Sequence, residues 1–289
     1  MRIENDGVGL HVEVEGPDDG TPVVLLHGVS GCRKTFGWLP RAITDGRRIL
    51  RVDLRGHGES DHAPGTYVIA RYGEDVVAIL RALTDRPAIL VGHSLGAVTA
   101  WWVAQNAPEL VAAAFLEDPP LYMGEPAEHE KNAAVPVFTA IRARAAAWQS
   151  EGASIEAVAA QLAPAPLGAQ RTMGDVMAQD AIAARAEALL LMDPGVLDQA
   201  ADRSTLADTD TSSRVSVPVF LLGADDAMGS AFPAPHADRL SHSHPDVEIA
   251  RVSGAGHGIH DERASRGAYA SHLAAFLDRQ ASSTGAVPL

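Results

Sequence analysis

Apolar and polar positions follow two rhythms along the first 120 residues of the chain. The stretch GLHVEVEG (9–16) alternates between apolar and polar residues, as a strand with one exposed face does. Three continuous apolar runs are typical of parallel strands covered on both faces: PVVLLHG (22–28), RILRVDLRG (48–56) and AILVGHS (88–94). Two segments carry apolar residues at helical spacing: ARYGEDVVAILRAL (70–83) and GAVTAWWVAQNAPELV (96–111). The combination predicts an α/β fold with a mostly parallel central sheet and helices on both faces.

The pattern changes after the next apolar run, AAAFLEDPP (112–120), which predicts another buried strand. Residues 121–213 are alanine-rich and helical in character, without a strand pattern. Strand signals return at VPVFLLGADD (217–226) and VEIARVSGAGH (247–257), and a closing helix is predicted over 265–280. We therefore expect a core domain of residues 1–120 and 214–289 that carries a helical cap or lid at 121–213. The last residues, 281–289, are expected to be loose.

Composition narrows the classes of function. The chain has 289 residues, of which 46% are hydrophobic and 21% charged, as in ordinary soluble proteins. Its net charge of −14, with 23 scattered lysines and arginines, argues against a nucleic-acid partner. Its single cysteine, Cys32, excludes an internal disulfide, and neither a secretory start nor a membrane-spanning run is recognised. We expect a cytoplasmic protein without a membrane partner; the pattern does not indicate an oligomeric state.

One serine stands at a junction of predicted elements. The sequence Gly92-His93-Ser94-Leu95-Gly96 follows a predicted strand and begins a predicted helix, which is the context of a nucleophile elbow. Glycines on both sides would avoid crowding a strained turn. A structural serine in an ordinary strand-to-helix turn is the competing interpretation, and partner residues must decide between the two.

Partner residues occur further along the chain. A serine hydroxyl is a poor nucleophile near neutral pH, so it needs a base, which in turn needs an orienting acid. Asp225 and Asp226 follow one late predicted strand, and His257 follows the next. The resulting order of serine, aspartate and histidine favours nucleophilic catalysis.

Several motifs together carry a resemblance to a known family. They are LLHGVSG (25–31), VDLRGHGES (52–60), the segment around Ser94, PVFLLGADD (218–226) and GAGH (254–257). Over nearly its whole length the chain resembles the α/β-hydrolase superfamily, in the serine branch that contains esterases, lactonases, C–C bond hydrolases and cofactor-free perhydrolases. The resemblance implies an α/β-hydrolase fold with a helical cap.

The resemblance also implies catalytic roles. Ser94 is expected to be the nucleophile and His257 the general base. Asp226 matches the family's spacing from the glycine that ends the preceding strand, so it is the expected acid. Asp225 is the adjacent alternative, and Asp118 is a third candidate because some relatives place the acid after the sixth strand.

The family's oxyanion hole uses backbone N–H groups, which correspond here to Val29 and Leu95. Arg33, Lys34, Arg142 and Arg144 are candidates to bind a substrate carboxylate. Candidate substrate-binding residues are Gly28, His93, Tyr122, Phe138, Met173 and Met177.

Neither a metal nor an organic cofactor is expected. His242 and His244 lack a convincing third ligand, and their segment, HADRLSHSHPD (236–246), is interpreted as a solvated turn. Nucleotide-binding fingerprints are absent from the sequence.

The resemblance implies hydrolysis of a small or medium carboxylic ester with an apolar alkyl or aryl part, through an acyl-enzyme. A lactonase, a C–C bond hydrolase or a cofactor-free perhydrolase would use the same three residues. A ligand receptor or signalling hydrolase with slow turnover is an alternative of another class.

Overall fold

The structure is a computed structural model that describes residues 1–131, 133–167 and 171–284, with side chains described to residue 281. The described strands form one eight-stranded sheet in the order β1-β2-β4-β3-β5-β6-β7-β8. Their bounds are β1 Arg2–Asn5, β2 Val8–Glu15, β3 Thr21–Leu26, β4 Arg47–Val52, β5 Ala88–His93, β6 Val111–Glu117, β7 Val219–Gly223 and β8 Glu248–Arg251. β2 pairs antiparallel with β1 and β4, and all other neighbours pair parallel. The predicted mostly parallel sheet is confirmed.

Helices cover both faces of the sheet. Their bounds are α1 Arg41–Thr44, α2 Ile69–Leu83, α3 Leu95–Asn106, α4 Pro126–His129, α5 Ala134–Glu151, α6 Ile155–Leu162, α7 Met173–Val176, α8 Gln179–Leu191, α9 Gly195–Ala201, α10 Ala234–Ser243 and α11 Arg266–Thr284. In the described ranges, none of these helices combines the length and apolar character needed to cross a bilayer.

The two faces of the sheet build separate apolar clusters because successive residues of a strand point to opposite sides. In β3, Val24 and Leu26 join the cluster that includes α2 and α3, whereas Val23 and Leu25 join the cluster beneath α1 and α11. This two-sided burial explains why the central strands are continuous apolar runs in the sequence.

Between β6 and β7 the described residues form helices α4 to α9 and no strand. α5 packs on α9 and α6 packs on α8, so this segment has its own helix-to-helix contacts. The helical character predicted for residues 121–213 agrees with these elements, and the division into core and cap stays a prediction.

Two local expectations need correction. The segment interpreted as a solvated turn is mostly helix, since α10 runs to Ser243, and His244 after it is buried. The physical reason is a buried helix face: His236 and Leu240, one turn apart, both point inward. At the C-terminus, α11 continues to Thr284 instead of ending near residue 280; the rest of the tail predicted to be loose, 285–289, lies outside the described residues.

Candidate active site

Ser94 lies between the end of β5 and the start of α3, in a strained backbone conformation. Its φ of 51° and ψ of −114° are unusual for a residue with a side chain. The flanking glycines are required by close packing: a Cβ on Gly92 would lie 2.3 Å from the Gly96 carbonyl oxygen, and one on Gly96 would lie 2.1 Å from that of Leu26. The local geometry is therefore that of a nucleophile elbow.

His257 connects this serine to a carboxylate. It lies in the loop between β8 and α11, and its Nε2 is 2.9 Å from the Ser94 Oγ. Its Nδ1 is 2.7 Å from Oδ2 of Asp118, the residue directly after β6. The three side chains form a continuous hydrogen-bonded chain from a buried carboxylate to the serine hydroxyl.

The Asp118 carboxylate is buried and fully engaged. Its Oδ1 accepts hydrogen bonds from the Ala224 N–H (3.0 Å) and the Ser230 hydroxyl (2.6 Å), and its Oδ2 accepts a further one from the Ala231 N–H (2.7 Å). Burial alone would raise the pKa of Asp118, but the hydrogen bonds, led by that with His257, hold it below its ordinary value. Like Ser94, Asp118 has a positive φ, of 40°.

The expectation that Asp226 stands beside His257 is wrong. Its carboxylate accepts hydrogen bonds from Arg251 Nη1 (2.8 Å) and from the Ala234 N–H (2.9 Å), and its side chain is 42% exposed. The physical reason is the tight turn after β7, which directs this side chain toward β8 and away from the cavity.

Asp225 does not contact His257 either. It caps the same turn by accepting from the Ala227 N–H and holds the Gly254 N–H at 2.7 Å. These contacts support the turn after β7 and the loop that leads to His257.

The loop after β3 places two candidate oxyanion donors. Within the described part of the chain, no hydrogen bond occupies the N–H of Val29 or that of Leu95. The carbonyl of Val29 contacts His57 Nε2 at 2.9 Å, and the Gly31 N–H donates to the Gly28 carbonyl. These two contacts fix the conformation of the loop. A Cβ on Gly28 would lie 2.7 Å from His93 Nδ1, which explains the glycine.

Ser94 and His257 open into a cavity of about 960 Å³. Of the residues predicted to bind substrate, Gly28, His93, Phe138, Met173 and Met177 line it, and their contact with substrate stays a prediction. Tyr122 does not line the cavity. It is buried with the Arg239 guanidinium 4.2 Å from its ring centre, because its aromatic face packs beneath α10.

The basic residues predicted to bind a carboxylate lie outside this cavity. Arg33 is held by Asp53 and Glu59 at 2.6 Å each, and Lys34 pairs with Glu187. Arg142 pairs with Asp198, and Arg144 lies over the Trp148 ring. The cations that do line the cavity are Lys131, Arg171, Arg185 and Arg203. Helical spacing alone could not separate them from the many surface arginines.

A second histidine–carboxylate pair lies behind the first. His260 Nδ1 is 2.6 Å from Glu117 Oε2, the His260 N–H bonds the other carboxylate oxygen, and both side chains are fully buried. His93 lies against His260, with ring centres 4.8 Å apart. Burial would lower the pKa of His260, but the carboxylates of Asp261 and Glu117 raise it.

The side chains of His93, Glu117 and His260 also offer ligand atoms within 4.8 Å of one another, as a metal site would. Both oxygens of Glu117 are already bonded to His260, and His93 Nε2 contacts the His257 carbonyl oxygen at 3.0 Å. These hydrogen bonds explain why the three polar side chains lie together: they connect the end of β6 and His93 to the loop that carries His257.

Residues 21–264 match the family model described as alpha/beta hydrolase fold. The chain belongs to the alpha/beta hydrolase family. The membership agrees with the eight-stranded sheet and with the strained serine after β5.

This alpha/beta hydrolase is similar to several curated proteins and solved structures. It is 28% identical over 270 residues to 2-(acetamidomethylene)succinate hydrolase of Mesorhizobium japonicum, covering 90% of this chain and 89% of that protein. A crystal structure of E-2-(acetamidomethylene)succinate hydrolase superposes with a TM-score of 0.74 at 26% identity, over 96% of this chain and 98% of the other. A putative esterase/lipase of Haemophilus influenzae is 41% identical over 93 residues, 32% of each protein. The first curated relatives are matched over only about a third of their length.

Proposed function

We propose that this alpha/beta hydrolase is a serine hydrolase that cleaves small or medium carboxylic esters through an acyl-enzyme. The observation that carries the proposal is the hydrogen-bonded chain from Asp118 through His257 to Ser94 at the wall of a large cavity. The family membership and the esterase-like relative support hydrolysis in general; the ester substrate and the residue roles are our inference.

In the first half-reaction, Ser94 Oγ attacks the ester carbonyl carbon and His257 Nε2 takes the hydroxyl proton. Asp118 accepts the hydrogen bond from His257 Nδ1 and stabilises the imidazolium. The carbonyl oxygen becomes an oxyanion, which the N–H groups of Val29 and Leu95 stabilise. The tetrahedral intermediate then collapses, the C–O bond to the alcohol breaks, and His257 donates its proton to the leaving alcohol.

In the second half-reaction, water takes the place of the alcohol. His257 removes one proton as the water oxygen attacks the acyl-enzyme, and the second tetrahedral intermediate releases the acid and restores the Ser94 hydroxyl. Every proton that His257 accepts is returned, so the reaction needs no cofactor.

The cavity wall suits a substrate with an apolar part. Phe138, Ile141, Met173 and Met177 contribute apolar surface to the cavity that Ser94 lines. A volume of about 960 Å³ accommodates an alkyl or aryl ester of small to medium size.

The test combines turnover with covalent labelling. Sustained p-nitrophenol release from p-nitrophenyl butyrate, together with modification of the Ser94 peptide by a fluorophosphonate, is expected for the wild-type protein. Ser94→Ala should abolish both while leaving the circular dichroism spectrum unchanged, since only one oxygen atom is removed.

Labelling of Ser94 followed by one turnover or fewer would contradict the proposal and favour a slow ligand receptor. Equal hydrolysis by the wild-type protein and by Ser94→Ala would remove the serine from the mechanism.

A further inference from the structure

We propose that Arg185 binds a carboxylate of the substrate, so that the preferred ester carries a negative charge apart from its scissile group. The inference rests on the proposed ester hydrolysis and names the class of substrate for that same cavity.

Arg185 belongs to the cavity that contains the serine. It lies on α8, and both it and Ala181, one helical turn earlier, line the wall. The neighbouring Ala184 carbonyl contacts Cys32 Sγ at 3.8 Å, so this part of α8 lies over the loop that carries Val29. Arg185 therefore lines the same cavity as Val29 and Leu95, and its charge acts on His93, the residue before Ser94.

The guanidinium of Arg185 is poorly paired. In the described ranges it donates no hydrogen bond, and its Nη2 is 4.0 Å from the Asp261 carboxylate. Its side chain is only 23% exposed. By contrast, the nearly buried Arg33 has carboxylate oxygens of Asp53 and Glu59 at 2.6 Å. An arginine that lines a cavity and has its neighbouring carboxylate 4.0 Å away offers a forked site for a carboxylate.

The charge of the cavity wall differs from that of the whole chain. The chain carries a net charge of −14, yet four lysines and arginines line the cavity beside two acidic residues, Asp261 and Glu262. Burial raises the pKa of Glu262 above its ordinary value. A cationic cavity in an anionic protein attracts anions selectively.

The local charges favour a monoanionic group over a doubly charged one. Asp261 remains within 4.0 Å of Arg185, so a phosphate dianion would face a like charge next to its one close partner. A single carboxylate can bind the guanidinium of Arg185 while Asp261 stays beside His260, with Asp261 Oδ1 3.3 Å from His260 Nε2.

The experiment compares two esters that differ in charge and share a five-carbon acyl chain. Monoethyl glutarate carries the extra carboxylate, ethyl valerate does not, and acid release from each is followed in a pH-stat. The wild-type protein should favour monoethyl glutarate in kcat/KM. Arg185→Met should lower kcat/KM for that ester by about 10- to 100-fold, the usual effect of losing a hydrogen bond to a charged group. It should change ethyl valerate by less than about threefold, because no charged contact is lost.

Two further variants isolate the effect of charge. Arg185→Lys should recover part of the preference for monoethyl glutarate, because it restores the charge but not the fork. Arg142→Met is the matched control. Arg142 lies on α5, between β6 and β7 like Arg185, but pairs with Asp198 outside the cavity. This variant should leave both esters unaffected.

Equal losses on both esters in Arg185→Met, or a wild-type protein that hydrolyses ethyl valerate as well as monoethyl glutarate, would overturn the carboxylate site while ester hydrolysis stands. If the wild-type protein hydrolyses neither ester, ester hydrolysis fails instead. The carboxylate site is then tested by isothermal titration calorimetry, which compares the affinity for monoethyl glutarate of Ser94→Ala with that of the Ser94→Ala/Arg185→Met double variant. Weaker binding by the double variant would support the site, and equal binding would refute it.

Discussion

Two neighbouring histidine–carboxylate pairs contain the same chemical groups, but the first continues to a serine hydroxyl at the cavity and the second is enclosed in the protein core. The Asp118–His257 and Glu117–His260 contacts are 2.7 and 2.6 Å long, and the carboxylates are consecutive residues at the end of β6. His257 is 38% exposed, and its far nitrogen reaches the Ser94 hydroxyl. His260 is fully buried between His93 and the ring of Phe36.

The difference shows what turns such a pair into candidate catalytic machinery. A carboxylate orients and polarises an imidazole in either place, but only an imidazole that opens into a cavity can exchange protons with a substrate. We therefore propose reaction chemistry for the first pair and support of the His257 loop for the second. Changing each carboxylate to its amide should separate the two roles.

The largest effect is expected for Asp118→Asn. An amide cannot compensate the charge of the imidazolium or hold the required tautomer, so kcat should fall by about 10⁴-fold. Ester turnover by the purified, folded variant measures the loss. A decrease of only a few-fold would mean that Asp118 is not the acid.

Glu117→Gln should act mainly on stability. Removing the charge takes away one of the two carboxylates that face the fully buried His260, and breaking such a buried pair costs about 3 kcal/mol of the free energy of unfolding. Urea denaturation measures the cost, and ester turnover of the folded fraction should stay within about tenfold of wild type because the Ser94–His257–Asp118 contacts remain. A variant as stable as the wild type but inactive would reverse the assigned roles.

The contribution of His260 to stability should depend on pH. Because its pKa is raised in the folded protein by Asp261 and Glu117, its proton stabilises the fold. That contribution is complete below the unfolded value of about 6.5 and is lost as pH rises through the higher folded value. The difference in unfolding free energy between the wild type and His260→Gln should therefore be larger at acidic than at alkaline pH. A difference that grows with pH would contradict the direction of the shift.

The smallest effect is expected for Asp226→Asn, the matched control for Asp118→Asn. This carboxylate is exposed and pairs with Arg251 at the surface. Its loss should cost less than about 1 kcal/mol of stability and change kcat by less than about threefold. A 10³-fold loss of kcat would return Asp226 to the catalytic machinery.

Much of the fold was predictable because its signals are local. Continuous apolar runs predicted the central strands, and the glycines around Ser94 predicted a tight strand-to-helix junction. His257 was found because it follows the last strand in a motif. The helix over Ala234–Ser243 was missed because its histidines and serines are weak helix signals, and packing of His236 and Leu240 decides its conformation.

The acid illustrates the limit of such reasoning. Asp118 and Asp226 follow parallel strands that are neighbours in the sheet, so both lie at the same sheet edge. Both also come between Ser94 and His257 in the chain, as the serine, aspartate and histidine order requires. The spacing after Gly223 favoured Asp226, but spacing does not report the direction of a turn. Asp118 was a third candidate because some relatives place the acid after the sixth strand.

By itself the sequence determined the parallel sheet, the serine at its edge and the histidine three strands later in the chain, because hydrophobic periodicity and tight-turn glycines act between neighbouring residues. Only the tertiary structure decided that Asp118 contacts His257, that Asp226 faces Arg251, and that Arg185 faces the cavity while Arg142 does not. These outcomes depend on the orientations of side chains from separate elements. Such orientations are set by long-range packing and by competition among hydrogen-bond partners, neither of which is encoded in local spacing.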